Sequence, residues 1–230
     1  MNDDRILEIS AVAASPALVR PPLQQRSRET HRKIIDAAKD ILIAKGISGL
    51  TLQEVAQRAG VSNGALHYRF NSKEALSITL ITHLLHDIRD KERIMHNKLI
   101  KESRNIDEMM RSYIKEYFRI MQDFNPIFNG SIGVIKANRD LSRLGVEVAQ
   151  EAEDLAKATF LSFVENKSAA RQVEKADEVF HIIFSFVIRE IQFPSSAPGS
   201  PQRLRRQDAL ARMCVAYLQA GNDGPFVEGA

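Results

Sequence analysis

The chain reads as all-α: a three-helix helix-turn-helix domain followed by a larger set of helices. Three observations support this reading. Between residues 23 and 193 there is one proline, Pro126. No stretch alternates apolar and polar residues long enough for a strand. Apolar residues instead recur at spacings of three and four, as in Leu141, Leu144, Val148, Ala152 and Leu155.

Taken in order, the first helix is expected over residues 30–45, with Ile34, Ala38, Ile41 and Leu42 on one stripe and Gly46 as its stop. Thr51-Leu52-Gln53-Glu54 is a capping box, in which the Thr hydroxyl and the Glu carboxylate reciprocally satisfy orphan N–H groups. It opens a short helix whose Leu52, Val55, Ala56 and Ala59 fall on one face. Gly60 permits the positive φ of a tight turn. Ser62 caps a third helix in which Leu66 and Phe70 face inward. Asn63, Gly64, Ala65, His67, Tyr68 and Arg69 are expected to face away from the core.

A helix is expected from Glu74 to about Asp90, then helices over residues 106–124, 126–138 and 140–164. Glu147, Glu151, Glu153 and Asp154 would form a solvated face on the last of these. Over residues 172–192 apolar groups wrap nearly the whole circumference, so both faces need cover. A loop over residues 193–200, with two prolines and a glycine, leads to a final helix over 201–220.

Composition narrows the class. With 230 residues and 44% hydrophobic residues, the chain can bury one large core or two small ones, and wholesale disorder is excluded. The single cysteine, Cys214, excludes an intramolecular disulfide and a multi-cysteine zinc framework. No run approaches the roughly 18 apolar residues of a membrane span. Residues 1–23 carry Asp3, Asp4 and Glu8 without a basic segment leading an apolar one, so a secretory signal is not expected and a cytoplasmic setting is.

The net charge is +3, but its placement is uneven. Residues 24–73 hold nine basic side chains, including Arg26, Arg28, Arg58, Arg69 and Lys73, against four acidic ones, a local net of +5. Such asymmetry marks either a nucleic-acid-facing segment or a solvated basic face. Two short helices about a glycine turn, with small residues Gly64 and Ala65 leading the second, suit entry into a major groove about 12 Å wide.

The residues Thr51 to Ala56, Ala59-Gly60-Val61-Ser62, Gly64-Ala65-Leu66, Tyr68, Phe70 and Ser72-Lys73-Glu74 resemble the DNA-binding signature of the tetracycline-repressor (TetR) family. Ile34, Ala37, Ala38 and Gly46 match its first helix. His67 stands where that family usually has Tyr, and Arg69 where it usually has His. The resemblance covers about fifty residues. It implies a flexible tail over 1–27, a DNA-binding domain over 28–74, an effector-binding and dimerisation domain over 75–220 and a second tail over 221–230.

By the same resemblance Asn63, Gly64, Ala65 and His67 lie near base edges, and Tyr68 and Lys73 on phosphates, with core packing as the alternative for Tyr68. Thr51 and Gln53 stand at the second helix's N-terminus, where the Thr51 hydroxyl serves as a contact or only as a cap. Asn63 suits adenine, and Arg69, if it reaches a base, guanine. Arg26 and Arg28 either reach the backbone or stay uninvolved. Effector-pocket candidates are Met109, Tyr113, Tyr117, Phe118, Met121, Phe124 and Phe128, with ordinary core packing as the alternative. Phe180, Ile183, Phe184, Val187, Leu210, Met213 and Tyr217 are the candidate homodimer interface.

The function so implied is a dimeric regulator, a repressor, that binds a palindromic double-stranded DNA operator and is released by a small apolar ligand. The alternative is a ligand-independent DNA-binding or architectural protein controlled by a protein partner. No phosphate loop, nucleophile elbow or zinc spacing is present, so an enzyme, a cofactor and a membrane partner are not expected. His83, His86, Asp87 and Asp90 share a helix face that could hold a divalent metal, but a polar stripe is the commoner use of that pattern and no metal is expected.

Overall fold

The structure, a computed structural model, describes the backbone of residues 25–165 and 169–220 and the side chains of 27–125, 131–165 and 169–220. Among the described residues it consists of eight helices and no strand. They are α1 (Gln25–Lys45), α2 (Leu52–Ala59), α3 (Asn63–Arg69), α4 (Lys73–Glu102), α5 (Ile106–Ala137), α6 (Arg139–Leu161), α7 (Ala170–Gln192) and α8 (Pro201–Gln219). The two expected tails lie outside the described residues, except that residues 25–27 belong to α1.

The chain forms two compact units, residues 25–88 with 124–148 and residues 89–123 with 149–220. The domain boundary expected at 74/75 falls in the first turn of α4, which continues through it.

In the first unit α1 buries Ile34, Ala38, Ile41 and Leu42 completely, the stripe read from their spacing. Gly46 ends the helix at φ 69°, its N–H bonded to the Leu42 carbonyl at 2.9 Å. Val55 and Ala56 of α2 are buried, as are Leu66 and Phe70 at the inner edge of α3. The start of α4 adds Ala75, Leu76, Leu80, Ile81 and Leu84. Its Thr79 and Thr82 hydroxyls donate to carbonyls one turn back, at 3.0 and 2.9 Å, which lets polar residues sit inside.

The second unit packs around Tyr113, Ile114, Tyr117, Ala156, Phe160, Val179, Ile183 and Val187. Two buried cations here are held by backbone carbonyls. The Arg203 guanidinium donates to the Glu190 carbonyl at 3.1 Å and lies 5.2 Å from the centre of the Phe118 ring. Lys175 closes the end of α8 by donating to the Ala220 carbonyl at 2.6 Å, and Gln172 donates to the Leu218 carbonyl at 2.8 Å. Ser200 caps α8, and Pro201 occupies its first turn, where a missing N–H costs nothing.

Two helices run longer than expected. α4 reaches Glu102 rather than Asp90, because Arg89, Lys91 and Arg93 are good helix formers and their charges find partners: Arg89 and Arg93 both engage Glu151, and Lys91 engages Asp123. Glu151 is thereby half-buried rather than part of a solvated face. α5 continues through Pro126 to Ala137, where two helices were expected. A proline removes one N–H donor from the ladder, and a helix of 32 residues retains enough others to override it.

Candidate nucleic-acid interface

The helix-turn-helix is built by local rules. Thr51 is extended, and its Oγ1 accepts the Glu54 N–H at 3.2 Å. The reciprocal half of the expected capping box is replaced: the Glu54 carboxylate takes the Lys45 ammonium at 2.6 Å, which joins α1 to α2. Gly60 sits at φ 65°, ψ 34°, and its N–H and that of Val61 close the last turn of α2. Ser62 then accepts the Ala65 N–H at 3.1 Å, opening α3.

α3 presents Asn63, Gly64, His67 and Tyr68 to solvent, with Tyr68 59% exposed and Ala65 half-buried. A methyl added at Gly64 would meet only Ser62 Oγ, at 4.0 Å, so the fold does not require glycine there. Thr51 and Gln53 are exposed at the start of α2. Lys73 is exposed and donates to the Ser48 carbonyl at 3.2 Å, which braces the loop before α2.

Arg69 departs from the expectation that it faces away from the core. It is 6% exposed, and its guanidinium donates to the Ser27 carbonyl at 2.6 Å and to the Ser27 hydroxyl. The reason is register: Arg69 lies three residues after Leu66 and one before Phe70, on the inward stripe of the helix. Burial lowers its tendency to stay protonated. In this structure Arg69 ties α3 to α1 and offers no guanine-reading fork.

The basic surplus is also partly committed. Arg58 pairs with Asp40 at 3.3 Å, Lys39 with Asp87 at 3.2 Å and Lys45 with Glu54. Arg32 and Lys33 remain exposed on α1. Arg28 is half-buried, and the side chain of Arg26 lies outside the described residues. Such exposed pairs contribute about 0–1 kcal/mol, so a phosphate can compete for their cations.

Behind α3 lies a feature that spacing does not reveal. His31 of α1 stacks on Phe70 at 5.7 Å and tilts against His83 at 5.8 Å. Burial, then the neighbouring His83 and Arg69, push His31 down to about 4, so it is neutral at physiological pH. The same contacts redirect the proposed metal stripe, since His83 faces His31 and Asp87 pairs with Lys39. Elsewhere Glu153, Asp177 and His181 gather, and the Lys157 ammonium lies 2.7 and 3.2 Å from the first two.

Of the effector-pocket candidates, Met109, Tyr113, Tyr117, Phe118 and Met121 are buried in the second unit and Phe124 is buried in the first. The side chain of Phe128 lies outside the described residues. Tyr113 stacks on Tyr117 at 5.4 Å and meets Phe160 edge-on at 4.9 Å. A groove of about 470 Å³ runs between α4 and α5, lined by residues such as Lys91, Met95, Leu99, Ser112, Lys115 and Ile120, none of them among the candidates.

The expected dimer residues divide. Phe180, Ile183, Val187 and Leu210 are buried within the single chain, so they serve its own core rather than an external face. α7 packs against α8 within the chain, and hydrogen bonds from Gln172, Lys175 and Arg203 join the two helices. Phe184 and Met213 are exposed and Tyr217 is half-buried. Ile182, part of the apolar wrap read over residues 172–192, is exposed, as are Val173 and Leu204 on the same two helices, which spacing does not single out.

Residues 34–78 match the family model of bacterial regulatory proteins of the tetR family. Over 47 residues the chain is 45% identical to the HTH-type transcriptional regulator SrpR of Pseudomonas putida, 20% of this chain and 22% of that protein. Over 86 residues it is 31% identical to TtgR of the same species, 37% of each. These alignments therefore span less than half of those relatives. A longer one, to CymR of Pseudomonas putida, is 26% identical over 169 residues, 71% of this chain and 78% of that one. In fold the chain is similar to a TetR-family regulator of Mesorhizobium loti, with a TM-score of 0.67 at 18% identity, covering 84% of this chain and 98% of the other. Residues 34–78, which hold the helix-turn-helix of α2 and α3, thus carry the DNA-binding signature of the tetR family of bacterial regulatory proteins, and the chain as a whole is similar to such a regulator in fold.

Proposed function

We propose that the chain is a DNA-binding transcriptional regulator that acts as a homodimeric repressor on a palindromic operator and is released by a small effector. The observation that carries this is the construction of α3. Leu66, Arg69 and Phe70 anchor it on one side, and Asn63, His67 and Tyr68 stand exposed on the other with Gly64 between them. In this reading Asn63, Gly64, Ala65 and His67 meet base edges, while Tyr68, Lys73 and the Thr51–Gln53 end of α2 meet phosphates. Arg69 acts as a strut.

Two copies place two such helices on successive turns of the duplex, roughly 34–36 Å apart. The exposed apolar residues of α7 and α8, Ile182, Phe184 and Met213 among them, supply the surface that a second copy covers. An effector bound in the second unit shifts DNA affinity by its preference between the two dimer states, and by no more than that.

Selection from a random duplex library tests this reading. An inverted repeat should emerge, with half-site centres one helical turn or a multiple apart. Enrichment of a single unrepeated half-site, or of nothing, would contradict it.

A further inference from the structure

The interior of the second unit holds polar groups that neither DNA contact nor packing uses. Glu92 and His96 lie one turn apart on α4, and Tyr113 and Tyr117 one turn apart on α5. All four are buried, Glu92 to 2% exposure and Tyr113 to 0%. His96 is satisfied, its Nδ1 lying 2.8 Å from Thr159 Oγ1. Glu92 Oε1 and the Tyr113 hydroxyl are not; each is buried without a hydrogen-bond partner.

Native interiors contain few such groups, and each needs an explanation. Among the described residues Glu92 has no ion pair, and the charged group acting on it is another carboxylate, Glu151, already held by Arg89 and Arg93. Aromatic rings crowd the same place. The Tyr113 ring lies 5.4 Å from Tyr117, 5.5 Å from His96 and 4.9 Å from Phe160. An unpartnered acceptor beside aromatic faces is complementary to a positively charged donor on an organic body.

We propose that Glu92 and Tyr113 form the polar end of a binding site for a small organic amine. Its ammonium donates to Glu92 Oε1 and its apolar body lies along the Tyr113, Tyr117 and Phe160 rings. This rests on reading the second unit as effector-responsive, and it replaces a purely apolar effector with a cationic one. Met109 and Met110, unbranched side chains buried on the same helix as Tyr113, can shift to make room. The groove between α4 and α5 has the buried Met95, Leu99 and Ile120 on its wall, and in this proposal the ligand enters between them.

Binding has a proton signature. Burial, with Glu151 nearby, raises the Glu92 carboxyl to about 8, so the empty site holds a proton at pH 7. The ammonium converts this acid to a carboxylate, and the displaced proton passes to the buffer. The neighbouring His96 is pushed down to about 4 by burial, and the Cys214 thiol up to about 12, so neither charges in this range.

Calorimetric titration of the full chain at pH 7, in two buffers of different ionisation enthalpy, tests the proposal. The probes are benzylamine and 4-phenylbutylamine, beside ethylbenzene and pentylbenzene, in which a methyl replaces the ammonium. The amines should bind better than the hydrocarbons and release close to one proton. Glu92→Gln, which copies the protonated acid and keeps the fold, should weaken amine binding at least tenfold and abolish the release. It should leave the hydrocarbons unaffected. No amine binding, or binding without proton release and indifferent to Glu92→Gln, would overturn the proposal. If amines bind through Glu92 yet leave DNA affinity unchanged, the site stands and the effector reading fails. If the hydrocarbons alone release DNA, the effector reading stands and this site fails.

Discussion

The Arg69 guanidinium, at the end of α3, donates to the Ser27 carbonyl at 2.6 Å across 42 residues of sequence. A charged side chain on α3 thus acts as a strut onto α1. A buried hydrogen bond from a charged group is worth about 1.5–3 kcal/mol. Arg69→Met, which keeps the apolar stem, should lower stability by about that amount in urea unfolding. It should weaken DNA binding equally across operator variants. Unchanged stability with relaxed preference at one base pair would return Arg69 to the groove.

Gly64 separates fold from function cleanly. A side chain there meets nothing closer than Ser62 Oγ at 4.0 Å, and helix interiors disfavour glycine by about 1 kcal/mol relative to alanine. Gly64→Val should therefore leave the melting temperature unchanged or raise it, while DNA affinity falls at least tenfold as the branched side chain meets the groove. A variant that melts early would show a packing role instead.

Asn63 and Tyr68 should fail in different ways. Asn63→Ala should relax preference at one base pair, by about 1–3 kcal/mol, because a paired donor and acceptor is lost. Tyr68→Ala should weaken binding to every duplex. Titration against single-base operator variants distinguishes the two patterns.

How far the sequence reveals these roles depends on how local the determinant is. The α2–α3 turn was legible because Thr51, Gly60 and Ser62 act on backbone groups within three or four residues. Leu66 and Phe70 follow from spacing alone. Arg69 did not, because a charged residue near a helix end reads as surface and its partner is 42 residues away. Glu92 was hidden between Lys91 and Arg93, in a run that reads as a solvated helix end. It acts electrostatically on Tyr113 and Tyr117, residues of another helix, a neighbourhood that no local pattern reveals. The inner stripe of α7 was legible as apolar, but periodicity cannot tell whether the chain's own α8 or a second copy covers it.

Buried histidines predict acid sensitivity. Folded His31 and His96 take up protons only near pH 4, whereas the unfolded chain takes them up near 6.5. Between these values the two histidines bind protons in the unfolded chain that they do not bind in the folded one, so their contribution to stability falls as pH drops from about 6.5 to about 4 and levels off below, while Glu92, raised to about 8, acts in the opposite direction above its ordinary range. His31→Phe fits beside Phe70 and leaves no orphan ring nitrogen, so it should move the midpoint of acid unfolding to lower pH. His96 and His83, also lowered by burial, supply histidine dependence that remains. Acid unfolding followed by circular dichroism checks this, and an unmoved midpoint would show that His31 is not a determinant.

The central claim, that α3 reads DNA sequence, is tested most directly by titrating the protein against a duplex carrying its selected site and against a scrambled duplex, at two salt concentrations. Preference of about a thousandfold or more at physiological salt is the result expected of sequence-specific binding. Equal, weak binding to both duplexes, falling steeply with salt, would mean phosphate contact alone and would contradict the assignment of Asn63 and His67 to base edges.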